Sequence, residues 1–173
     1  MKLQKSLDAF LFCCYAGMRY SDFTNLSKKN IVDINQETWL IYKSVKTGTE
    51  VRLPLYLLFA GKGIVILNKY RNNLEVFFRL RDNSNINKDL IIIAKLAGLS
   101  KKISFHTARH TNATLLIYNG VNITTVQKLL GHKSVKTTQV YTNIMDMTIV
   151  HDLEKMKQAT LGIKKKTDNS FNK

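Results

Sequence analysis

The hydrophobic positions at the start of the chain follow the period of an α-helix. Between residues 7 and 14, apolar side chains recur at spacings of three and four residues, which predicts a helix that ends at Gly17. A second, shorter helix is predicted from about Arg19 to Leu26. The chain is therefore expected to open with helical structure.

The pattern then changes to that of β-strands. The segments 39–42 and 51–54 flank the polar turn Lys46-Thr47-Gly48-Thr49, which predicts a β-hairpin. A short strand around residues 30–34 would complete the sheet. The fold class predicted for the chain is mainly α with one small three-stranded antiparallel sheet, an α+β domain.

Helical periodicity returns after the hairpin. The predicted helices span about 56–73, 88–97, 107–119 and 122–131, and glycine marks the end of the last three. Ser134 is predicted to cap one more helix, which carries Tyr141. The polar segment 81–88 is predicted to be a loop.

The charge balance narrows the class of partner. Lys and Arg number 27 against 12 Asp and Glu, giving a formal net charge of +15 in 173 residues. This surplus favours a polyanion, either nucleic acid or an acidic membrane surface. Attraction to phosphate alone would explain it, so it does not indicate sequence-specific binding.

The cysteines and the apolar runs indicate a cytosolic protein. Cys13 and Cys14 are adjacent in an apolar run, have no zinc-site spacing, and are predicted to be buried, reduced thiols. No apolar run approaches the roughly 18 residues that span a bilayer. The start also lacks the order of a secretory signal.

Candidate chemistry begins with His106 and Arg109, which are three residues apart and share a helix face. A guanidinium beside an imidazole suits a phosphate, because the first binds two oxygens and the second donates or moves a proton. Taken alone, such a pair is more often two ordinary surface residues of a basic protein.

A second cluster surrounds the end of a predicted helix. Gly131 lets the chain reverse, so that His132 points back toward the helix of Arg109. The phenol of Tyr141 has an ordinary pKa of about 10 and is too weakly ionised to attack a phosphodiester unaided. Nearby cations would stabilise its anion. The alternative is a tyrosine packed by its ring, with a solvated hydroxyl.

These motifs together resemble a known signature. The segments 106–111 (His-Thr-Ala-Arg-His-Thr), 129–132 (Leu-Leu-Gly-His) and 141–143 (Tyr-Thr-Asn) are similar to the tyrosine recombinase, or phage integrase, family. The segments 17–22 and 46–48 resemble the family motifs of the first catalytic arginine and the catalytic lysine. The resemblance implies the family's catalytic-domain fold and six catalytic residues: Arg19, Lys46, His106, Arg109, His132 and Tyr141.

The resemblance also implies a mechanism. Tyr141 would attack phosphorus, form a 3′-phosphotyrosyl bond and release a 5′-hydroxyl, and another 5′-hydroxyl would reverse the step without ATP. Arg19 and Arg109 would bind the scissile phosphate, and Lys46 would protonate the departing 5′-oxygen. His106 and His132 would hydrogen-bond the phosphate and assist proton movement. No cofactor and no metal are expected.

Two assignments have alternatives. Lys43 also lies in the hairpin region, and either lysine can simply face solvent; Lys46 is favoured because Thr47-Gly48 places it at the turn. His110 is expected to point away from the active face and to serve packing. His151 lies beyond the motifs and has no assigned role.

The resemblance further implies an organisation. A catalytic domain is expected over residues 1–163 and a disordered basic tail over 164–173, with the family's N-terminal core-binding domain absent. The segment 145–161 is expected to form a helix that packs on a neighbouring subunit, the alternative being packing in cis or disorder. Expected partners are double-stranded DNA, a homotetramer on synapsed sites, and accessory DNA-bending or directionality proteins, without a membrane.

The predicted function is site-specific DNA recombination in the bacterial cytoplasm, in association with the nucleoid. The motif sequences are most similar to integrases of bacterial mobile elements such as conjugative transposons. The alternatives are a type IB-like topoisomerase, which shares this chemistry, and a non-catalytic DNA-binding derivative of an integrase. No residue indicates the target DNA sequence.

Overall fold

The computed structural model describes residues 2–141 together with residues 153, 154, 156 and 157. Within this part, the elements are α1 (Lys2–Ala16), α2 (Tyr20–Thr24), β1 (Ile31–Ile34), β2 (Glu37–Lys43), β3 (Glu50–Pro54), α3 (Lys62–Lys69), α4 (Leu74–Phe78), α5 (Asn83–Leu96), α6 (Phe105–Tyr118), α7 (Ile123–Leu130) and α8 (Lys136–Gln139). Short 3-10 turns precede β1 (Lys28–Asn30) and α3 (Leu58–Gly61). The predicted α+β class with one three-stranded sheet is confirmed.

The sheet is an antiparallel meander in the order β1-β2-β3. Leu40 in β2 pairs with Ile31 on one side and with Leu53 on the other, and Leu40 and Leu53 are fully buried. Asn35 and Gln36 connect β1 to β2 with φ values of 51° and 66°, as expected for a two-residue hairpin turn. The sheet thus buries one face, and its β2–β3 turn contacts the end of α7 through the hydrogen bond from the Thr47 hydroxyl to the Gly131 carbonyl.

Helix α1 forms the centre of the helical part and packs against α3, α5 and α6. The rings around it meet mostly edge to face, with centroids 5.2–6.2 Å apart, and belong to Phe12, Phe23, Phe77, Phe78 and Phe105. Such pairs add to the burial of apolar area. Cys13 and Cys14 are buried free thiols in this core, as predicted.

Two glycines end helices where the sequence predicts. Gly17 follows α1 with φ +68°, and Gly131 follows α7 with φ +63°, both in the left-handed region that suits glycine. A Cβ on Gly17 would lie 2.6 Å from Asn112 Oδ1, and one on Gly131 would lie 2.6 Å from Val51 Cγ2. Both positions therefore need glycine for space as well as for conformation.

The predicted helix over residues 56–73 is wrong at its start and its end. Phe59, Ala60 and Gly61 have φ values of 49°, 54° and 72°, so three successive left-handed residues separate the strand from α3. Helix α3 begins only at Lys62 and ends at Lys69. Helix α4, which follows, was not predicted from the sequence.

The predicted loop over residues 81–88 is also wrong. The side chain of Asp82 accepts a hydrogen bond from the backbone N–H of Asn85 at 3.0 Å, and helix α5 begins at Asn83. The polar residues that favour a loop are instead the cap and solvent-facing first turn of a helix. Burial of Ile86 and Leu90 holds that turn against the core.

Two smaller differences concern the candidate site. Helix α6 begins at Phe105 rather than at 107, because Ser104 and Thr107 form a capping box. Helix α8 ends at Gln139, so Tyr141 lies in a turn beyond it and is not carried by the helix as predicted. The hydroxyl of Ser134 accepts a weak hydrogen bond from the Lys136 N–H at 3.3 Å.

The predicted tail over residues 164–173 lies outside the described residues. The same holds for most of the segment 145–161, of which residues 153, 154, 156 and 157 alone are described. In the described part of the chain, no helix has the length and apolar character to cross a bilayer.

Candidate active site

Arg109 lies at the centre of the candidate site, on the inner face of α6, with 1% of its surface exposed. Its Nη1 donates to the carbonyl oxygen of Gly17 at 2.7 Å, and its Nη2 donates to that of Leu130 at 2.6 Å. These carbonyls belong to the ends of α1 and α7, which lack helical donors. One guanidinium thus joins three helices, next to Arg19 and to His132.

Arg109 has no ion pair with any carboxylate of the described residues. Burial lowers its pKa to about 10, with repulsion from the nearby Arg19 as the second cause, so it stays protonated at neutral pH. Two of its five N–H groups are taken by the carbonyls, which leaves donors for another acceptor. The site therefore carries a buried positive charge that no carboxylate of the described residues pairs with directly.

Arg19 is positioned by a buried carboxylate. Its Nη1 lies 3.5 Å from Asp22 Oδ2 and donates to Ser44 Oγ at 3.2 Å. The other oxygen of Asp22 accepts the N–H of Val45 at 2.8 Å, and the Asp22 side chain is fully buried. The predicted site residues do not include Asp22, although its spacing of three from Arg19 is a signal for this pairing.

Lys46 lies in the turn between β2 and β3 and is exposed. The turn is closed by a hydrogen bond from the Gly48 N–H to the Ser44 carbonyl at 2.8 Å. It is anchored by the Thr47 hydroxyl, which donates to the Gly131 carbonyl at 3.1 Å. Lys46 is close enough for its charge to contribute to lowering the pKa of His106. Lys43 is an exposed residue at the end of β2.

His132 follows Gly131 directly and is buried. Its Nδ1 lies 2.9 Å from Thr138 Oγ1, and its carbonyl accepts from Gln127 Nε2 at 3.1 Å. Burial lowers the pKa of His132 to about 4, and the charges of Arg109 and Arg19 act in the same direction. The imidazole is therefore neutral at neutral pH, and one of its nitrogens is a donor.

His106, His110 and Tyr141 form a row of rings. The centroids of His106 and His110 are 4.5 Å apart, and those of His110 and Tyr141 are 5.4 Å apart. The prediction that His110 points away from the active face is wrong, because residues four apart lie on one helix face. Burial lowers the pKa of His106, and His110, Arg109 and Arg19 add to the effect.

Tyr141 is buried, with 7% of its surface exposed, and its N–H donates to the Thr138 carbonyl at 3.1 Å. Burial raises the pKa of its phenol, while the charges of Arg109 and Arg19 act in the opposite direction. The two arginines thus favour the phenolate, the form that a nucleophilic oxygen requires.

The six predicted residues come from separate segments, and the structure brings them to one region. Arg109 donates to the Gly17 carbonyl, two residues before Arg19, and the Thr47–Gly131 hydrogen bond joins the residues next to Lys46 and His132. A row of rings joins His106 to Tyr141 through His110. Asp22, Ser44 and Thr138 support them. Among the described residues, no group of three or more His, Cys, Asp or Glu side chains could hold a metal ion.

Comparisons with known proteins agree with this geometry. Residues 3–147 match the Phage integrase family. The tyrosine recombinase XerD of Bifidobacterium longum is 50% identical over 84% of this chain and 51% of the relative. The chain spans about half the length of the curated relatives it matches.

Two solved structures share the fold. A crystal structure of XerA recombinase has a TM-score of 0.65 at 23% identity, over 88% of this chain and 63% of that one. The Tn1549 transposon integrase, in complex with circular intermediate DNA, has a TM-score of 0.60 at 18% identity, over 80% of this chain and 53% of that one. With the family match over residues 3–147, these findings show that the chain belongs to the phage integrase family of tyrosine recombinases.

Proposed function

We propose that this chain cleaves and rejoins DNA strands in site-specific recombination, through a covalent bond between Tyr141 and a 3′-phosphate. The observation that carries the proposal is Arg109, a buried guanidinium with no carboxylate ion pair among the described residues and with Arg19 beside it. A buried cation of this kind is stabilised by an anion that completes its hydrogen bonds. A phosphodiester has the charge and the oxygen geometry required.

The arginines act on the phosphate. Asp22 holds Arg19 in place, and the carbonyls of Gly17 and Leu130 hold Arg109, so neither guanidinium needs to reorganise when the phosphate binds. Donors that are fixed before the reaction stabilise the charge that develops on the phosphate oxygens in the transition state. The same two charges favour the Tyr141 phenolate, which opposes the effect of burial on its pKa.

Proton transfer is assigned to the lysine and the histidines. Lys46 protonates the 5′-oxygen that leaves phosphorus, since its exposed side chain lies on a turn anchored beside His132. His132, neutral at neutral pH, donates a hydrogen bond to a non-bridging oxygen. His106, in the first turn of α6, lies near the phosphate and exchanges the proton of the nucleophile.

The partner in this proposal is double-stranded DNA, bound by a homotetramer on synapsed sites, with accessory DNA-bending or directionality proteins. The net charge of +15 supports DNA as the ligand. Binding also involves a second, core-binding domain that completes a clamp, and residues 145–161 pack on a neighbouring subunit. The motif segments 105–111 and 119–121 support an integrase of a bacterial mobile element, which acts at the nucleoid.

Covalent trapping tests the nucleophile. Nicked substrates from the ends of the source element, which lose a short strand after cleavage, are incubated with the protein and resolved on a denaturing gel. We expect a protein–DNA adduct that disappears in Tyr141→Phe. Tyr118→Phe is the matched control, because Tyr118 is half exposed at the far end of α6 and keeps the adduct. An adduct that survives in Tyr141→Phe would refute the assignment.

A modified substrate tests the lysine. When sulfur replaces the 5′-bridging oxygen, the leaving group departs without a proton and needs no general acid. We expect the Lys46→Ala protein to cleave the ordinary substrate more slowly than the wild type and to cleave the sulfur substrate at the wild-type rate. Lys43→Ala, changed at the other lysine of the hairpin, cleaves both normally. If Lys43→Ala were the variant that is slow on the ordinary substrate and normal on the sulfur substrate, Lys43 and not Lys46 would be the general acid.

Strand exchange separates recombination from topoisomerase activity. A recombinase joins strands of two different sites, whereas a topoisomerase relaxes a supercoiled plasmid without such products. We expect recombinant joints between paired sites, and their absence beside efficient relaxation would favour the topoisomerase.

A further inference from the structure

Thr138 contacts two residues of the proposed mechanism, His132 and Tyr141. The side chain is fully buried in α8, and its Oγ1 lies 2.9 Å from His132 Nδ1. The backbone carbonyl of the same residue accepts the N–H of Tyr141 at 3.1 Å. One residue thus contacts the histidine with its side chain and the nucleophile's backbone with its main chain.

The direction of the side-chain hydrogen bond follows from burial. Among the described residues, Thr138 Oγ1 has no other hydrogen-bond partner, so accepting from His132 would leave the hydroxyl hydrogen buried without an acceptor, at a cost in free energy. The acceptor available is therefore His132 Nδ1. A neutral imidazole that accepts at Nδ1 carries its hydrogen on Nε2.

The other ring nitrogen is left for the substrate. His132 Nε2 has no hydrogen-bond partner in the described part of the chain. Arg109 is nearby, since it donates to the carbonyl oxygen of Leu130, two residues before His132. The Thr138 hydrogen bond also fixes the ring orientation, as a second partner does for an imidazole that binds a metal. The donor at Nε2 is thus prepared before any phosphate arrives.

We propose that Thr138 is a positioning residue that holds His132 in the tautomer with hydrogen on Nε2, the donor that the phosphate requires, and ties it to the turn that carries Tyr141. This inference rests on the proposed function for the role of His132, but the tautomer itself is a property of the free protein. The depressed pKa of His132 agrees with a neutral ring at neutral pH.

Nitrogen NMR of the imidazoles tests the tautomer directly. In the full chain at neutral pH, the shifts of His132, assigned with His132→Gln, are expected to show hydrogen on Nε2. Thr138→Val keeps the side-chain shape but cannot donate, and is expected to remove the hydrogen-bond shift at Nδ1 and to release the ring to a mixture of the two tautomers. Thr138→Ser restores the donor and the wild-type spectrum. Thr137→Val, at the adjacent exposed threonine, leaves it unchanged.

A cleavage assay then tests the consequence. Under single-turnover conditions, Thr138→Val is expected to slow covalent adduct formation by about tenfold or more, the usual effect of losing an orienting partner, with unchanged DNA affinity. Thr138→Ser is expected to recover the rate. Thermal unfolding of each variant identifies a loss of fold, in which case the inference is decided by Thr138→Ser and by the wild-type spectrum.

The outcomes distinguish this inference from the proposed function. A wild-type spectrum with hydrogen on Nδ1, or an unchanged spectrum in Thr138→Val, overturns the positioning role even if cleavage proceeds. An altered spectrum with an unchanged cleavage rate also overturns it, because the tautomer would then be irrelevant to the reaction. A wild-type protein that forms no adduct contradicts the proposed function, while the spectrum still decides the tautomer.

Discussion

The junction at Gly17 allows backbone strain to be separated from steric exclusion. Gly17 and Gly98 both follow helices, with φ values of +68° and +69°. A Cβ at Gly98 would meet nothing within 4 Å, whereas one at Gly17 would lie 2.6 Å from Asn112 Oδ1 and 2.8 Å from Leu130 Cδ2. The same substitution by alanine therefore differs at the two positions only in what the new methyl group touches.

Asn112 has little freedom to move away from such a methyl group. It is buried, and its Nδ2 donates to the carbonyl oxygens of Cys14 and Tyr15, both at 3.0 Å. Rotating its amide would leave these hydrogen bonds unmade. The new methyl group must therefore separate α1 from α6 or strain Asn112, and either change also displaces the Gly17 carbonyl that holds Arg109.

The magnitudes follow from these contacts. Gly98→Ala is expected to cost about 1–2 kcal/mol, the strain of an alanine in the left-handed region. Gly17→Ala carries the same strain and a further cost of about 1–3 kcal/mol for overpacking. Since domain stabilities are roughly 5–15 kcal/mol, the double cost is a large fraction of the total.

Urea denaturation of the wild type, Gly17→Ala and Gly98→Ala measures the difference in their free energies of unfolding. With an m-value of about 2 kcal/mol per molar urea, Gly17→Ala is expected to unfold at a midpoint roughly 0.5–1.5 M below Gly98→Ala, at equal m. Equal midpoints would refute the reasoning, because they would mean that the α1–α6 junction accommodates a methyl group without cost.

Three further predictions concern the buried polar groups. Asp22→Asn keeps an acceptor for the Val45 N–H but removes the charge beside Arg19, so the cleavage rate is expected to fall by about 10–100-fold with unchanged DNA affinity, measured in single turnover. Tyr42→Phe removes a buried hydroxyl with no hydrogen-bond partner among the described residues, and is expected to raise the free energy of unfolding by about 1 kcal/mol; a loss would indicate a partner for that hydroxyl. The pKa of His132 is about 4 in the folded protein against an ordinary 6.5, so between these pH values the unfolded chain binds the proton and the folded protein does not. The contribution of His132 to the free energy of unfolding is therefore complete above pH 6.5 and is lost as the pH falls toward 4. His132→Gln is therefore expected to flatten the fall of stability over this window, measured by denaturation at several pH values, and a parallel pH profile would contradict it.

The parts of the fold that the sequence predicts well are those with a local cause. Gly17 and Gly131 end their helices as expected, because glycine alone enters the left-handed region without strain. The alternation of the strands likewise specifies the hairpin around Lys46. Each of these features is decided by a few neighbouring residues.

The errors arise where tertiary contacts decide between local alternatives. Asp82 followed by polar residues favours both a loop and a capped helix, and the burial of Ile86 and Leu90 selects the helix. The left-handed residues Phe59 and Ala60 are held where Phe59 packs on Tyr15, a contact that no local pattern contains. Gly61 and Gly63 have low helix propensity, but they do not by themselves place the start of the helix at Lys62.

The candidate site follows the same division. The resemblance names the six residues whose side chains face the substrate in the proposed mechanism. Asp22 and Thr138 act through other residues, and their role depends on burial and on distances across the fold. Asp22 has a local signal in its spacing from Arg19, whereas Thr138 is one of two adjacent threonines that the sequence does not distinguish.

Arg109 has a role in the folded structure as well as in the proposed mechanism, whereas Lys46 has a role in the mechanism alone. A descendant that lost catalysis but still needed to fold would retain Arg109, because its guanidinium joins the ends of α1 and α7. Lys46 is exposed and has no hydrogen bond or ion pair among the described residues, so folding alone gives no reason to keep it. Lys46 is therefore the better marker of an active enzyme, and a homologue with the arginine but not the lysine is expected to be a folded, inactive relic.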